Sequence, residues 1–238
     1  MSDQLPPEKK DAESDRRPVG RPRQLSLDQI LATASKIGLN DLTLQAVADA
    51  LKGTTPALYR HVQSREDLIA KVAAAVTGRF PVPLHDGEPW KDWAERYAYA
   101  LLELYGSSPG LADYSLRRTP TSPPVLERHE TSIWAAKRSG FDEVSALYST
   151  RAVIEFVAGW VARTERRQAV QREHGIHPDD EFRDAVQRLN DGYPHLLHAI
   201  QVAPDLGSLD RFEFTLKSLL TGLQDVMSQR AAKEPTSE

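Results

Sequence analysis

Residues 42–65, LTLQAVADALKGTTPALYRHVQSR, constrain the fold of this chain more than any other segment. Apolar side chains recur at helical spacing in its first half, so one face of a first helix is apolar. Thr43 precedes that face as a candidate N-cap, and Lys52 and Gly53 break the helix. Thr55 offers a second N-cap, and Pro56 then takes the first helical position, where its missing N–H costs nothing. The segment therefore predicts two short helices joined by a tight turn.

The second of these helices, predicted over residues 57–62, has the features of a helix that contacts DNA. It would bury Leu58 and Val62 and leave Tyr59, Arg60 and His61 on or near the open side. A short helix of this kind fits the major groove, where its N-terminal residues meet base edges. The alternative is an ordinary helical pair that packs and binds nothing.

These residues resemble the TetR family of bacterial repressors. Residues 57–62 match the family's L-Y-x-H-[FV] signature, and residues 64–68 match the S-[KR]-x-x-L start of its fourth helix. Upstream, Leu31, Ala34 and residues 39–43 are similar to its first helix and the link that follows, so the resemblance covers residues 25–76. The chain departs from the family at one point, because Lys52 and Gly53 stand where Gly and then an aliphatic residue are usual.

The resemblance and the helix positions together predict the DNA contacts. Residues at the start of the second helix would approach bases, and Gln45 would pair with adenine. Other side chains would hold phosphates without reading sequence, and Arg60 suits either role. The basic arm around residues 21–23 would enter the minor groove or else remain a solvated tail. The predicted DNA-binding residues are Arg21, Arg23, Thr43, Gln45, Thr54, Thr55, Pro56, Ala57, Tyr59, Arg60, His61 and Arg65.

Composition narrows the class of protein. The chain has no cysteine, which excludes disulfides and thiolate metal sites and fits a cytoplasmic location. It also lacks a long uncharged apolar run, so we expect no transmembrane segment. Residues 1–80 carry 12 basic and 10 acidic side chains, whereas residues 81–238 carry 18 and 24. This asymmetry places any DNA contact in the N-terminal part.

The pattern of apolar residues predicts an all-α protein. The resemblance implies an N-terminal three-helix helix-turn-helix DNA-binding domain followed by a larger helical ligand-binding and dimerisation domain. We expect a disordered arm over residues 1–23, the DNA-binding domain over 24–80, the larger domain over 81–228 and a polar tail over 229–238. Ser26 and Gln29 form a capping box for the first helix, and a connecting helix is predicted over residues 65–79.

The larger domain is the predicted effector site. Residues 88–105 and 212–223 resemble the ligand-binding half of the tetracycline-repressor-type branch, with Ser108 and Pro109 where His-Pro is frequent. The resemblance favours an aromatic pocket for a small apolar or aromatic molecule, although core filling is the better interpretation of any single Trp. The predicted lining is Trp93, Tyr97, Leu101, His129, Ile133, Trp134, Phe156 and Trp160. Arg117 or Arg163 would meet an acidic group of the ligand.

The sequence therefore predicts a DNA-binding transcriptional regulator, not an enzyme, with neither cofactor nor metal. We expect a homodimer, formed through helices near residues 144–167 and 209–227, that leaves a near-palindromic operator when an effector binds. One alternative is a DNA-binding protein of the same fold with a packed pocket. The other is a helical-bundle metal enzyme that uses a histidine cluster, consisting of His174, His177, His195 and His198.

Overall fold

The computed structural model describes residues 25–118, 121–189, 192–202 and 207–231. The predicted contacts of Arg21 and Arg23 lie outside these residues. All regular elements of the described part are helices, which confirms the all-α prediction. Its helices are α1 (Leu27–Ile37), α2 (Leu44–Ala50), α3 (Thr55–Leu58), α4 (Arg65–Arg79), α5 (Trp90–Gly106), α6 (Leu111–Arg117), α7 (Pro123–Arg138), α8 (Glu143–His174), α9 (Pro178–Arg188), α10 (Pro194–Val202) and α11 (Leu209–Ala231).

Local caps define where the first helices begin. The Ser26 hydroxyl accepts from the Gln29 amide at 3.2 Å, and the Gln29 side chain accepts from the Ser26 amide at 3.3 Å, so the capping box is present. Thr43 caps α2 by accepting from the Ala46 amide at 3.0 Å. Helix α1 packs against α2 and α4, and their apolar faces bury a small core. This core includes Ile30, Ala34, Leu42, Val47, Ala48, Leu58, Val62, Leu68 and Val72.

The third helix differs in register from the sequence prediction. Its N-cap is Thr54 rather than Thr55, Pro56 is its second residue, and helical geometry ends at Leu58 instead of Val62. Beyond it the chain continues in turns, with the Val62 amide donating to the Leu58 carbonyl at 3.1 Å. The helix cannot continue further because the chain must become extended at residue 64 to cap α4.

The turn between α2 and α3 explains the unusual Lys52-Gly53 pair. Lys52 has φ +52°, the left-handed conformation that usually requires glycine, whereas Gly53 is not in that region. Gly53 instead permits close packing, because a Cβ there would lie 3.3 Å from Leu25 Cδ1. The turn therefore keeps its geometry with lysine at the strained position.

Helices α5 to α11 form the larger unit around α8. Helix α8 contacts α5, α6, α7 and α11, and α11 also packs on α5. The core between them includes Trp90, Trp93, Tyr97, Leu101, Val157, Phe212, Leu216 and Leu220. Helix α4 packs against α1 on one side and α7 on the other, so it joins the two units physically as well as in sequence.

Candidate nucleic-acid interface and ligand cavity

The described candidates for DNA contact lie in or just before α2 and α3, in the turns after α3, and at the first residue of α4. Most are exposed, and Thr55, Ala57 and His61 are half-buried. Tyr59 is 55% exposed, so its ring is not part of the core. A short helix with an exposed Tyr-Arg pair beside it presents donors for phosphate oxygens, while Pro56 and Ala57 present apolar atoms for thymine methyl groups.

Gln45 is held by neighbours in the absence of DNA. Its Nε2 donates to Asp49 Oδ1 at 2.7 Å, and its Oε1 accepts from the Thr55 hydroxyl at 3.1 Å. The amide therefore braces α2 against the start of α3, with one N–H of Nε2 left over. Bidentate pairing with N6 and N7 of adenine needs one amide N–H and one lone pair of Oε1, and Gln45 retains both beside its two contacts.

Arg65 and Thr43 each have a structural role that leaves donors available. Arg65 Nε donates to the Leu42 carbonyl at 2.6 Å and ties the start of α4 to the link before α2. Its terminal nitrogens remain on the exposed side chain. The Thr43 oxygen accepts from α2, so its hydroxyl hydrogen can still be donated to a phosphate.

A cavity of about 730 Å³ lies between α4, α5, α6, α7 and α8. This volume falls in the range of small-molecule sites. Its apolar wall comes mainly from Ala70, Ala73, Ala74, Leu101, Leu104, Leu111, Val125, Ile154 and Ala158. Its polar groups include Thr77, Tyr105, Tyr114, Ser115, Arg118, Arg128, His129, Arg151 and Glu155. The cavity thus combines an apolar wall with a few polar groups, and α4 forms one of its sides.

Leu101 and His129 are the two members of the predicted aromatic pocket that line this cavity. Trp93 and Tyr97 lie earlier on α5, stacked at 5.1 Å in the core, and the Trp93 indole donates to the Pro83 carbonyl. Phe156 packs against another aromatic ring of the core instead of lining the cavity.

The remaining predicted residues also lie away from the lining. Trp160 packs edge-on against Phe212, with the Arg211 guanidinium 4.7 Å from its ring. Ile133 is half-buried against the core. Trp134 is 46% exposed, with the Arg138 guanidinium over its ring. Helix rotation explains this separation, because the aromatic residues of α5 and α8 occupy faces that meet other helices, and Trp134 of α7 faces outward.

Arg128 is a buried charged residue of the cavity that the sequence interpretation did not identify. It lies on α7 in the same buried stripe as Val125 and Ser132, and it is 4% exposed. Its Nη2 donates to the carbonyls of Thr77 at 3.0 Å and Phe80 at 2.9 Å, at the end of α4. An arginine at an apolar helical position was the available signal. Arg117, which the sequence suggested instead, pairs with Asp113 on α6 and is largely exposed.

Buried tyrosines surround the same region. Burial raises the pKa of Tyr97 to about 12, against weaker opposing effects of Ser132 and the Arg128 charge. Burial also raises the pKa of Tyr105. The Tyr97 hydroxyl is buried close to Ser132 and Arg128. These phenols are therefore neutral at physiological pH.

A second contact joins the two units away from α4. The Leu39 amide donates to the Pro109 carbonyl at 2.7 Å. The neighbouring Gly110 amide donates to the Glu165 carboxylate on α8, at 3.2 and 3.3 Å to its two oxygens. Burial raises the pKa of Glu165 against that hydrogen bond. Hydrogen bonds therefore link α8 to residue 39 through the short loop that contains Pro109 and Gly110.

The described residues contain no group of three or more metal-ligating side chains. The His177 ring accepts from the Asp179 amide at 3.2 Å as a cap of α9. Within the described part of the chain, no helix is both long and apolar enough to cross a membrane.

A helix-turn-helix unit packed through α4 on a larger helical unit that contains a cavity is the architecture of a DNA-binding regulator with a separate ligand-binding domain. The sequence profile of the tetracyclin repressor-like C-terminal domain matches residues 82–227. The chain therefore belongs to the TetR family of transcriptional regulators, whose members are not enzymes.

Relatives span both units. The chain is 24% identical to the class E tetracycline repressor protein of Escherichia coli, over 87% of this chain and 94% of the relative. It is 26% identical to the transcriptional repressor DrrR1 of Streptomyces coeruleorubidus, over 90% of this chain and 83% of the relative. Among solved structures, apo ActR of Streptomyces coelicolor matches with a TM-score of 0.72 at 22% identity, covering 87% of this chain and 98% of ActR.

Proposed function

We propose that this protein is a homodimeric repressor that binds a near-palindromic operator and is released by a small molecule in the α4–α8 cavity. The observation that carries the proposal is the position of α4. One face of this helix lines the cavity through Ala70, Ala73, Ala74 and Thr77, and the helix also packs on α1 of the DNA-binding unit. A ligand that changes the position of α4 therefore changes the position of the DNA-binding unit.

Relatives support an effector in this cavity. ActR of Streptomyces coelicolor has been solved in complex with actinorhodin, and TetR of Acinetobacter baumannii in complex with minocycline. The cavity described here is open rather than packed with side chains, which favours a ligand-responsive regulator over the same fold without a ligand. An operator-binding protein of this kind acts in the cytoplasm, with the DNA.

The proposed dimer interface is the outer face of α8 and α11. Phe214, Ser218, Gly222 and Val226 recur every four residues along α11, and all four are exposed. Because serine and glycine lack bulk, this stripe lets a second helix approach closely. Helix α8 adds Val144, Leu147 and Tyr148, which are exposed one turn apart. Two such helices from each subunit would form a four-helix interface that covers apolar surface.

DNA recognition is assigned to α3 and its surroundings. Thr54, Thr55, Pro56, Ala57 and Gln45 would face bases. The phosphate contacts would come from Thr43, Tyr59, His61 and Arg65, with Arg60 in either role. The basic arm with Arg21 and Arg23 would follow the minor groove. Release by effector is then a population shift, and it requires the effector to bind the non-operator conformation more tightly.

Selection of bound sequences from a random DNA pool by the purified full-length protein tests the proposal. We expect enrichment of two inverted half-sites about one helical turn apart, bound tightly enough to survive competitor DNA. Failure to enrich any symmetric sequence would contradict an operator-specific dimer. Fluorescence anisotropy on the selected site then screens for releasing molecules.

A matched pair of variants tests the assigned surface. Tyr59→Ala should weaken operator binding by about tenfold or more while the protein stays dimeric. Tyr193→Ala removes a ring of nearly equal exposure from the larger unit and should leave the affinity unchanged. Equal affinities for the two variants would remove Tyr59 from the DNA surface.

A further inference from the structure

Arg128 is a buried cation without an anion. Among the described residues, no carboxylate lies within the 4 Å of an ion pair, although its side chain is almost fully buried. Its Nε and Nη1 are buried and have no hydrogen-bond partner in the described part of the protein. A charge removed from water in this way is unfavourable unless a partner neutralises it. The two carbonyls bound by Nη2 solvate the charge but do not neutralise it.

The cavity beside Arg128 has an excess of positive charge. Among the described lining residues, Arg118, Arg128 and Arg151 are basic, and Glu155 is the one carboxylate. Glu155 is already paired with Arg151, at 2.6 Å on the exposed surface of α8. No acidic group of the described lining therefore remains to pair with Arg128, so an anionic group that enters the cavity would be the first to neutralise it.

The geometry of the guanidinium group limits how a carboxylate can bind Arg128. A carboxylate binds arginine in two-pronged fashion through either Nε with Nη2 or Nη1 with Nη2, so both edges include Nη2. Both N–H groups of Nη2 already donate to backbone carbonyls, those of Thr77 and Phe80 at the end of α4. A two-pronged acid can bind Arg128 only by taking one of these N–H groups from α4.

We propose that the effector carries a carboxylate that pairs with Arg128 through two hydrogen bonds and thereby loosens the end of α4. This inference rests on the proposed function, because it takes the α4–α8 cavity as the effector site. The residue that recognises the effector is then also the residue that positions the connecting helix. Binding of the effector by Arg128 would therefore itself loosen the end of α4.

Isothermal titration calorimetry with paired aromatic acids and amides tests the recognition step on the full-length protein. The probes are 2-naphthoate with 2-naphthamide and biphenyl-4-carboxylate with its amide, which match in shape and differ in charge. We expect the acid of a pair to bind about tenfold more tightly than its amide. This preference should disappear in Arg128→Gln and persist in Arg138→Gln, which removes an exposed arginine of the same helix that is not part of the cavity lining. An acid preference absent from wild type, or retained in Arg128→Gln, would overturn the inference.

Arg128→Lys covers the case in which the glutamine variant does not fold. Lysine keeps the charge but has no two-pronged edge, so we expect the acid preference to fall but not vanish. Hydrogen exchange of the peptide covering residues 74–83 gives a readout of α4. The acid should speed exchange there in wild type, and the amide should not. Unchanged exchange with bound acid would overturn the link to α4.

The outcomes separate this inference from the proposed function. If acids bind through Arg128 but the operator is never released, the repressor mechanism fails and the recognition by Arg128 stands. If a neutral molecule releases the operator and does so equally in Arg128→Gln, the mechanism stands and the acidic effector is wrong.

Discussion

The Leu39 amide donates to the Pro109 carbonyl at 2.7 Å, a hydrogen bond between the DNA-binding unit and the unit that contains the cavity. The contact is tight on both sides. A Cβ on Gly38 would lie 3.2 Å from Pro109 Cβ, and a Cβ on Gly110 would lie 2.6 Å from Asn40 Oδ1. The two units are therefore held at two places, the packing of α4 and this loop contact, so that motion of α4 must also strain or break the second one.

The loop contact predicts a large effect of Gly110→Ala. Gly110 has φ +82° and Gly140 has φ +92°, so alanine strains the backbone at both positions. A methyl group at Gly110 also meets Asn40, whereas Gly140 has open space around it. We expect Gly140→Ala to reduce the free energy of unfolding by about 1 kcal/mol and Gly110→Ala by about 1–3 kcal/mol more. Urea denaturation of both variants measures the difference, and equal losses would mean that the contact contributes nothing.

Replacing Lys52 with glycine should stabilise the protein. The left-handed conformation of Lys52 strains any residue with a Cβ and does not strain glycine. We expect Lys52→Gly to raise the free energy of unfolding by about 0.5–1 kcal/mol, after the greater entropy of glycine in the unfolded chain is subtracted. Lys52→Ala is the control, because it removes the charge and keeps the Cβ. A similar gain from alanine would assign the effect to the lysine side chain.

Alkaline pH should destabilise the protein through its buried phenols. Burial raises the pKa of Tyr97 to about 12 in the folded state, from 10.0 when exposed. The raised pKa contributes stability that is fully present below pH 10 and is lost as pH rises towards 12, because the unfolded chain ionises first. The loss from Tyr97 reaches roughly 2–3 kcal/mol at the upper end.

Tyr97→Phe provides the test of this pH dependence. The variant should flatten the fall in melting temperature between pH 10 and 12, with Tyr105 accounting for part of what remains. Tyr193→Phe, which alters an exposed ring, should not change the profile. Identical profiles for wild type and Tyr97→Phe would remove Tyr97 as a cause.

Filling the cavity should separate DNA binding from release. Ala74 lines the cavity from α4, and Ala75 follows it on the same helix but is not part of the lining. We expect Ala74→Phe to bind the operator normally and to lose release by effector, because the ring occupies ligand space. Ala75→Phe is the matched control and should still be released. Anisotropy titrations with operator and effector measure both, and normal release of Ala74→Phe would place the effector elsewhere.

A charge on the outer face of α11 should disrupt the dimer. Phe214 is 74% exposed on the proposed interface, and Leu84 is 82% exposed in the linker before α5. Phe214→Glu would bury a carboxylate between subunits, so we expect dissociation to monomers and an accompanying loss of operator affinity. Sedimentation velocity measures the oligomeric state. Leu84→Glu should remain dimeric, and a dimeric Phe214→Glu would exclude this face.

The helices of the DNA-binding unit could be predicted from the sequence because the residues that determine them lie close together in the chain. The capping box of Ser26 and Gln29 and the Thr43 cap involve residues three apart, and the apolar stripe of α2 lies within two turns. Even there, the register of α3 depended on tertiary structure. Leu58 and Val62 are both buried in the core, and Ser64 must be extended to cap α4. Helix α3 therefore ends at Leu58, four residues before the predicted end at Val62.

The cavity, in contrast, was decided by tertiary structure alone. Sequence indicated that aromatic residues fill the larger unit, but not which of them face one another, since small rotations of α5, α7 and α8 select different faces. Those helices direct Trp93 and Trp160 into packing contacts and leave the open space beside the alanines of α4. Arg128 reaches the Thr77 carbonyl across 51 positions of sequence, and helical periodicity carries no information about such a pair. Local hydrogen bonding thus determined where helices begin, and packing between distant helices determined what the protein can bind.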